Sequence, residues 1–241
     1  MDLLFFLAAY IAEIVGTIAG FGSSTVFLPL ALLFFDFQTA LVLVAFLHIF
    51  GNIGRISFFR SELNKRILLI FGVPSVLLTL AGALLVSYIS QAALKTLLGI
   101  FLIVYALISL WKTDLKIKPS MLNSLVGGSL SGFLAGLIGT GGALRGAFLS
   151  AFGLPKEKYI ATAAAIALAV DVTRIPVYLS HGFLQNRYYW YLPVLFILAL
   201  AGSFTGKQIV KQVSQKTFKK IVLLAILIIG LKFIIDWLGI L

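Results

Sequence analysis

Long apolar runs alternate with short polar or charged stretches along the whole chain, without the strict apolar–polar alternation of a barrel strand. Runs of about 20 residues are long enough to cross a bilayer as helices. Thr39–Phe59, Ile67–Ile89, Gln91–Trp111, Tyr159–Ser180, Tyr188–Gly206 and Ile221–Leu238 each read as one crossing. Residues Leu3 to Phe35 form a longer run. As a straight helix it would measure about 50 Å against a hydrocarbon core of about 30 Å. Glycines interrupt it at Gly20-Phe21-Gly22-Ser23-Ser24, which predicts two short arms, Leu3–Ala19 and Ser23–Phe35. Met121–Gly139 and Gly142–Leu154 repeat that arrangement around Gly139-Thr140-Gly141-Gly142. Loops are expected at Asp36–Gln38, Arg60–Arg66, Lys156–Lys158, His181–Arg187 and Lys207–Lys220, with a tight turn at Ser90.

The two halves match in order at a spacing of about 120 residues, the signature of an internal duplication. Gly22 falls on Gly142, Asn52-Ile53-Gly54-Arg55 on Asp171-Val172-Thr173-Arg174, Leu80-Ala81-Gly82 on Leu200-Ala201-Gly202, and Ser90-Gln91 on Ser214-Gln215. The expected organisation is a first repeat over 1–111, a linker over 112–120 containing KTDLKIKP, and a second repeat over 121–241.

Composition agrees with a membrane protein. Of 241 residues, 61% are hydrophobic and only 11% charged, with mean hydropathy +1.11. So few charges cannot cover the surface of a soluble domain this size. The net charge of +11 does not point to nucleic acid, because the basic residues sit in short loops. If each broken stretch is a hairpin that returns to its own side, Arg60, Lys65, Arg66, Lys112, Lys116, Lys118, Lys156, Lys158 and the lysines from Lys207 to Lys220 share one face. Lys95 and Arg187, with Asp2, Asp36 and Asp236, are left on the other. The positive-inside rule makes the first face cytoplasmic, the repeats inverted and both termini external. The expected fold is therefore an all-α integral membrane protein of two inverted repeats. Each repeat has a broken hairpin pair of short helices followed by three transmembrane helices. A plasma or inner membrane is the expected location. MDLLFFLAAY lacks a basic n-region and reads as a first membrane segment, not a cleaved signal. There are no cysteines, so thiolate metal sites and disulfides are excluded.

Two interrupted helices near the midplane are suited to holding an anion. Hydrocarbon punishes unpaired backbone groups, and a half-helix beginning after a break presents free N–H groups and the positive end of its dipole. Candidate anion ligands are Gly22, Ser23, Ser24 and Thr25 at the first break, and Gly141, Gly142, Ala143 and Arg145 at the second. The Ser23, Ser24 and Thr25 hydroxyls can cap a helix as well as donate to oxyanion oxygens. Arg145 offers a planar fork of donors to an oxyanion, or a counter-charge to Glu13 on the neighbouring arm. Gly128, Gly132 and Gly136 fall four apart, the spacing of close helix packing. Asp171 and Arg174 stand i, i+3 and can pair directly; Asn52 and Arg55, their first-half counterparts, lack the carboxylate. Glu13, His48, Asn52, Arg55, Asp171 and Arg174 are candidates for ion coupling (H⁺ or Na⁺) or for structural charge. His48 reads either as a hydrogen-bonded core residue or as a proton relay. Arg55 and Arg174 have the alternative of snorkelling to an interface. No metal, cofactor or enzyme is expected: the two histidines form no H-E-x-x-H, no Lys-Ser or Lys-Thr follows the glycines as in a Walker loop, and no G-x-S-x-G occurs.

The breaks AGFGSSTVFLPL and GLIGTGGALRGAFL, the segment GLPKEKYIATAAAIALAVDVTRIPVYLSHG and the duplicated halves together resemble the TauE/SafE family of sulfite exporter-like membrane proteins. The resemblance spans the whole chain, and the second-half pattern is the more specific. First-half motifs in that family often carry a richer glycine run than GFGSS. The resemblance implies transport of sulfur-containing anions such as sulfite, sulfonates or sulfoacetate. A secondary carrier is the leading expectation, and an anion channel with the same midplane site is the alternative.

Overall fold

A computed structural model describes residues 2–19, 22–58, 63–111, 120–209 and 215–238. The described residues contain no strand. Among the described residues, eight helices are long and apolar enough to cross a membrane. The Lys112–Pro119 linker and residues 60–62 of the Arg60–Arg66 loop lie outside the described residues.

The first broken stretch is a hairpin with unequal arms. α1 (Asp2–Ala19) has 18 residues and α2 (Ser24–Ala31) only eight. Expectation made both arms short, but α1 has a bilayer-crossing length. α2 runs back along α1. A Cβ on Gly16 would meet the Cα of Ser23 at 2.5 Å. At the open end Phe5 packs on Phe27, Phe34 and Phe35, with ring centroids 5.3, 5.9 and 4.9 Å apart. Only a residue without a side chain permits backbones this close. The second stretch repeats the plan with α7 (Met121–Ile138) and α8 (Gly142–Ala151). There a Cβ on Gly141 would meet Ala135 Cβ at 2.9 Å, and one on Gly127 would meet the Phe148 ring at 2.6 Å.

α3 (Phe37–Phe58) begins two residues earlier than expected, because Asp36 Oδ1 accepts the Thr39 N–H at 3.0 Å and caps it. α4 (Lys65–Ile67) continues through a π-turn at Leu68–Gly72 into α5 (Val73–Leu85). Pro74 explains the widening: it lacks an N–H, and its ring would crowd the carbonyl four residues back. α6 spans Gln91–Trp111 as expected. α9 (Lys156–Ser180) takes in Lys156–Lys158 as its first turn, so the expected loop there moves back to Phe152–Pro155. Pro155, with φ −50°, is already set for helix entry. α10 (Tyr191–Ile209) and α11 (Gln215–Leu238) shorten the expected Lys207–Lys220 connection to a few residues.

The packing keeps its pattern when the halves are exchanged. α1 packs on α10 and α7 on α5; α3 packs on α10 and α9 on α5; α3 meets α9, and α6 meets α11. Each hairpin is thus seated on the other half of the chain. The Gly128, Gly132, Gly136 row is where α7 meets α5. A Cβ on Gly132 would overlap Ser75, and Ser75 and Thr79 donate hydroxyls to the Gly128 and Gly132 carbonyls at 3.0 Å. The α2 and α8 hairpin tips meet through Thr25 Oγ1 and Thr140 Oγ1, 2.8 Å apart.

Candidate functional site

Glu13 is wholly buried on α1 because its neighbours make room for it. A Cβ on Gly51 of α3 would meet the carboxylate at 2.6 Å, and one on Gly202 of α10 would meet Glu13 Cβ at 2.9 Å. A buried acid needs donors and a counter-charge. Glu13 Oε1 has both: Ser203 Oγ donates at 2.8 Å, and Arg55 forms an ion pair with it. Glu13 Oε2 has no partner. Arg55 also donates to Asn52 Oδ1 at 2.6 Å and to Thr17 Oγ1 at 3.4 Å.

On α9, Asp171 gathers three groups. Arg174 donates to Oδ1 from Nε at 3.0 Å, and its Nη2 forms an ion pair with the same oxygen at 2.8 Å. Oδ2 accepts from Asn52 Nδ2 at 3.4 Å and lies 2.9 Å from His48 Nδ1. Arg174 reaches on to the Ala135 carbonyl of α7 at 2.8 Å, and the Tyr178 hydroxyl donates to the Gly136 carbonyl at 2.5 Å. Those carbonyls lie in the last turn of α7, where helix geometry leaves acceptors without partners. One connected network therefore runs from Ser203 through Glu13, Arg55, Asn52, Asp171 and Arg174 to the second hairpin.

Beside this network lies a cavity of ≈ 30 Å³ lined by Thr17, Asn52, Arg55, Gly142, Arg145 and Tyr159. It has room for a water or two. Arg145 is buried, 4% exposed. Among the described residues its guanidinium forms neither a hydrogen bond nor an ion pair. An uncompensated guanidinium at membrane depth costs at least about 2.5–3.5 kcal/mol on insertion scales. Ser23 Oγ and His48 Nε2 are also buried without partners. His48 Nε2 points at the first tip, 2.8 Å from where a Gly22 Cβ would stand. Each unmet polar group calls for an explanation, an ordered water or an ion among them.

The geometry fits a multi-pass membrane protein with a buried polar centre, and comparison with known proteins gives it a family. A model of the family described as "Sulfite exporter TauE/SafE" matches residues 5–233. The chain belongs to the TauE/SafE family. A probable membrane transporter protein of Methanocaldococcus jannaschii is 26% identical to it, across 90% of this chain and 88% of that protein. This TauE/SafE member is accordingly a multi-pass membrane transporter.

Several sequence expectations are corrected here. Glu13 pairs with Arg55, not Arg145: α3 lies directly against α1, and the Cβ-free side of Gly51 turns the carboxylate toward it. Arg55 and Arg174 do not snorkel; they are 6% and 1% exposed, each held by a buried acid. The breaks are not equivalent. The first holds Gly22 at φ +86°, whereas the second turns at Gly139, φ +71°, the left-handed cap of α7, and Gly142 is already helical. Gly22, Gly142 and Arg145 border the cavity. Ala143 instead packs with Tyr105 and Leu223, Thr25 is spent on Thr140, and Gly141 lets α8 approach α7. Ser24 is buried at the start of α2. Sequence reasoning missed Thr17, Thr140, Tyr159, Tyr178 and Ser203. Only Thr17, one turn after Glu13, carried a sequence signal.

Proposed function

We propose that this protein is a secondary carrier of small oxyanions, sulfur-containing ones above all, that binds its substrate at the Arg145 cavity. One observation carries the reading: the buried Arg145 guanidinium lines a cavity and, among the described residues, has neither an ion-pair nor a hydrogen-bond partner. An anion would supply the missing partner, the cavity widening from its water-sized form to admit it. Arg55, Asn52 and Thr17 stand on the facing wall as further donors, and the planar forks of two arginines suit trigonal or tetrahedral oxygens. The family name and the relative's name support transport. Sulfite and sulfonates are the substrates they suggest.

We also take the halves to be inverted repeats that rock about the cavity to alternate access. Two hairpins that return to their own sides, the exchange symmetry of the packing and the segregation of basic loops support this. It places both termini outside the plasma or inner membrane. Single cysteines at Ser90 and Ser120 should then react with an impermeant reagent from opposite faces, Ser90 from outside. Labelling of both from one face would exclude the inversion. The carrier itself is tested in proteoliposomes. Flux of labelled sulfite should saturate and be accelerated by unlabelled sulfite on the far side. Linear flux without counterflow would make the protein a channel.

A further inference from the structure

The buried charges around the cavity do not cancel. Among the described residues, Arg55, Arg145 and Arg174 stand against Glu13 and Asp171, all buried, so three positive and two negative groups leave one positive charge. His48 adds nothing to this count. Its Nε2 is buried without a partner among the described residues, and a neutral ring leaves only a lone pair unmet there, which costs less than a charged N–H donor would. The ring is therefore neutral, with Nδ1–H donating to Asp171. The phenols of Tyr159 and Tyr178 are uncharged at neutral pH. The half-helix dipoles add little, because in each hairpin the negative end of the first arm lies beside the positive end of the second.

We propose that the centre selects an oxyanion carrying a single negative charge, such as a sulfonate or hydrogen sulfite, over dianions of the same shape. This rests on the reading of the Arg145 cavity as the anion site. A monoanion on Arg145 brings the buried sum to zero. A dianion leaves a net negative charge in a medium of low dielectric, where an unpaired charge is costly. Of the two acids, Glu13 sets this limit, because its guanidinium, Arg55, also lines the cavity. Asp171 is committed to Arg174, His48 and Asn52 away from it.

The test uses the purified full chain and two fixed-charge probes built on a tetrahedral sulfur, methanesulfonate (one charge) and sulfate (two). Affinities are compared at neutral pH and constant ionic strength. The wild type should hold methanesulfonate at least about tenfold more tightly. Glu13→Gln raises the buried sum to two and should reverse the order. Should that variant not fold, sulfite on the wild type decides. It passes from monoanion to dianion near neutrality, so its affinity should fall as pH rises while that of methanesulfonate stays flat. The methanesulfonate control absorbs any titration of the groups that face the ligand: Arg55, Arg145, Tyr159, Glu13 and, from the far side, His48 and Asp171. Sulfate bound as tightly as methanesulfonate, or sulfite affinity independent of pH, overturns the charge rule alone. Unchanged anion binding in Arg145→Gln, or no binding of either probe to the wild type, overturns the site and the rule with it.

Discussion

Arg55 and Arg174 occupy corresponding positions in the two halves, yet they are held in different ways. Arg174 takes its acid from its own helix, one turn back, and spends its remaining reach on a carbonyl at the end of α7. Arg55 takes its acid from another helix, through one carboxylate oxygen, and borders the cavity. The first arrangement fastens a hairpin tip. The second joins two helices through a pair that an anion can approach. Matching positions serve as a clamp in one half and as part of the cavity wall in the other, and the pairing of Asn52 in one half with Asp171 in the other marks the difference.

The contrast breaks most easily at the clamp. Arg174→Gln leaves Asp171 buried without its cation and should cost about 3–5 kcal/mol of stability, read as loss of monodisperse protein or a large drop in melting temperature. A full-strength, stable Arg174→Gln variant would remove the clamp. Neutralising both partners sharpens the difference. Arg55→Gln with Glu13→Gln should restore near wild-type melting, since one ion pair leaves together. Arg174→Gln with Asp171→Asn should stay about 1.5–3 kcal/mol below wild type, because the charged hydrogen bonds to His48 and Ala135 are still missing. Equal recovery of the two double variants would erase the distinction. Arg145→Lys keeps a charge on the cavity wall but loses the fork. It should weaken methanesulfonate binding roughly ten- to a hundredfold, about 1.5–3 kcal/mol, with melting unchanged. The smallest effect belongs to the tips. Thr25→Val removes one neutral hydrogen bond, about 0.5–1.5 kcal/mol, measurable as a modest fall in melting temperature with binding preserved.

Long-period features were legible in the sequence. The crossings follow from apolar length, the breaks from glycine, and the Asp171–Arg174 pair from i, i+3 spacing on one helix. Contacts between helices were not. Glu13 and Arg55 are 42 residues apart, and their meeting depends on which helix lies against α1. The pairing of Glu13 with Arg145, the alternative to a ligand role for Arg145, is excluded for that reason: both residues flank breaks, but they belong to different hairpins with different neighbours. Helix starts at Phe37 and Lys156 were missed because a single capping aspartate or a preceding proline outweighs the polarity of the first turn. The exchange of hairpins between halves leaves no local trace at all, since it is a property of packing between α1 and α10 and between α5 and α7.

That exchange has a consequence for how the chain is made. The first hairpin emerges from the ribosome well before α10, on which it is seated. The second hairpin finds α5 already in the bilayer. Growth from the N-terminus therefore leaves the first hairpin with Glu13 neutralised by Arg55 but without the Ser203 bond and the Gly202 groove until α10 has been made. A chain stopped at the linker has its early charges paired and its first helix unseated. Two pieces cut there must find each other before either hairpin has its place.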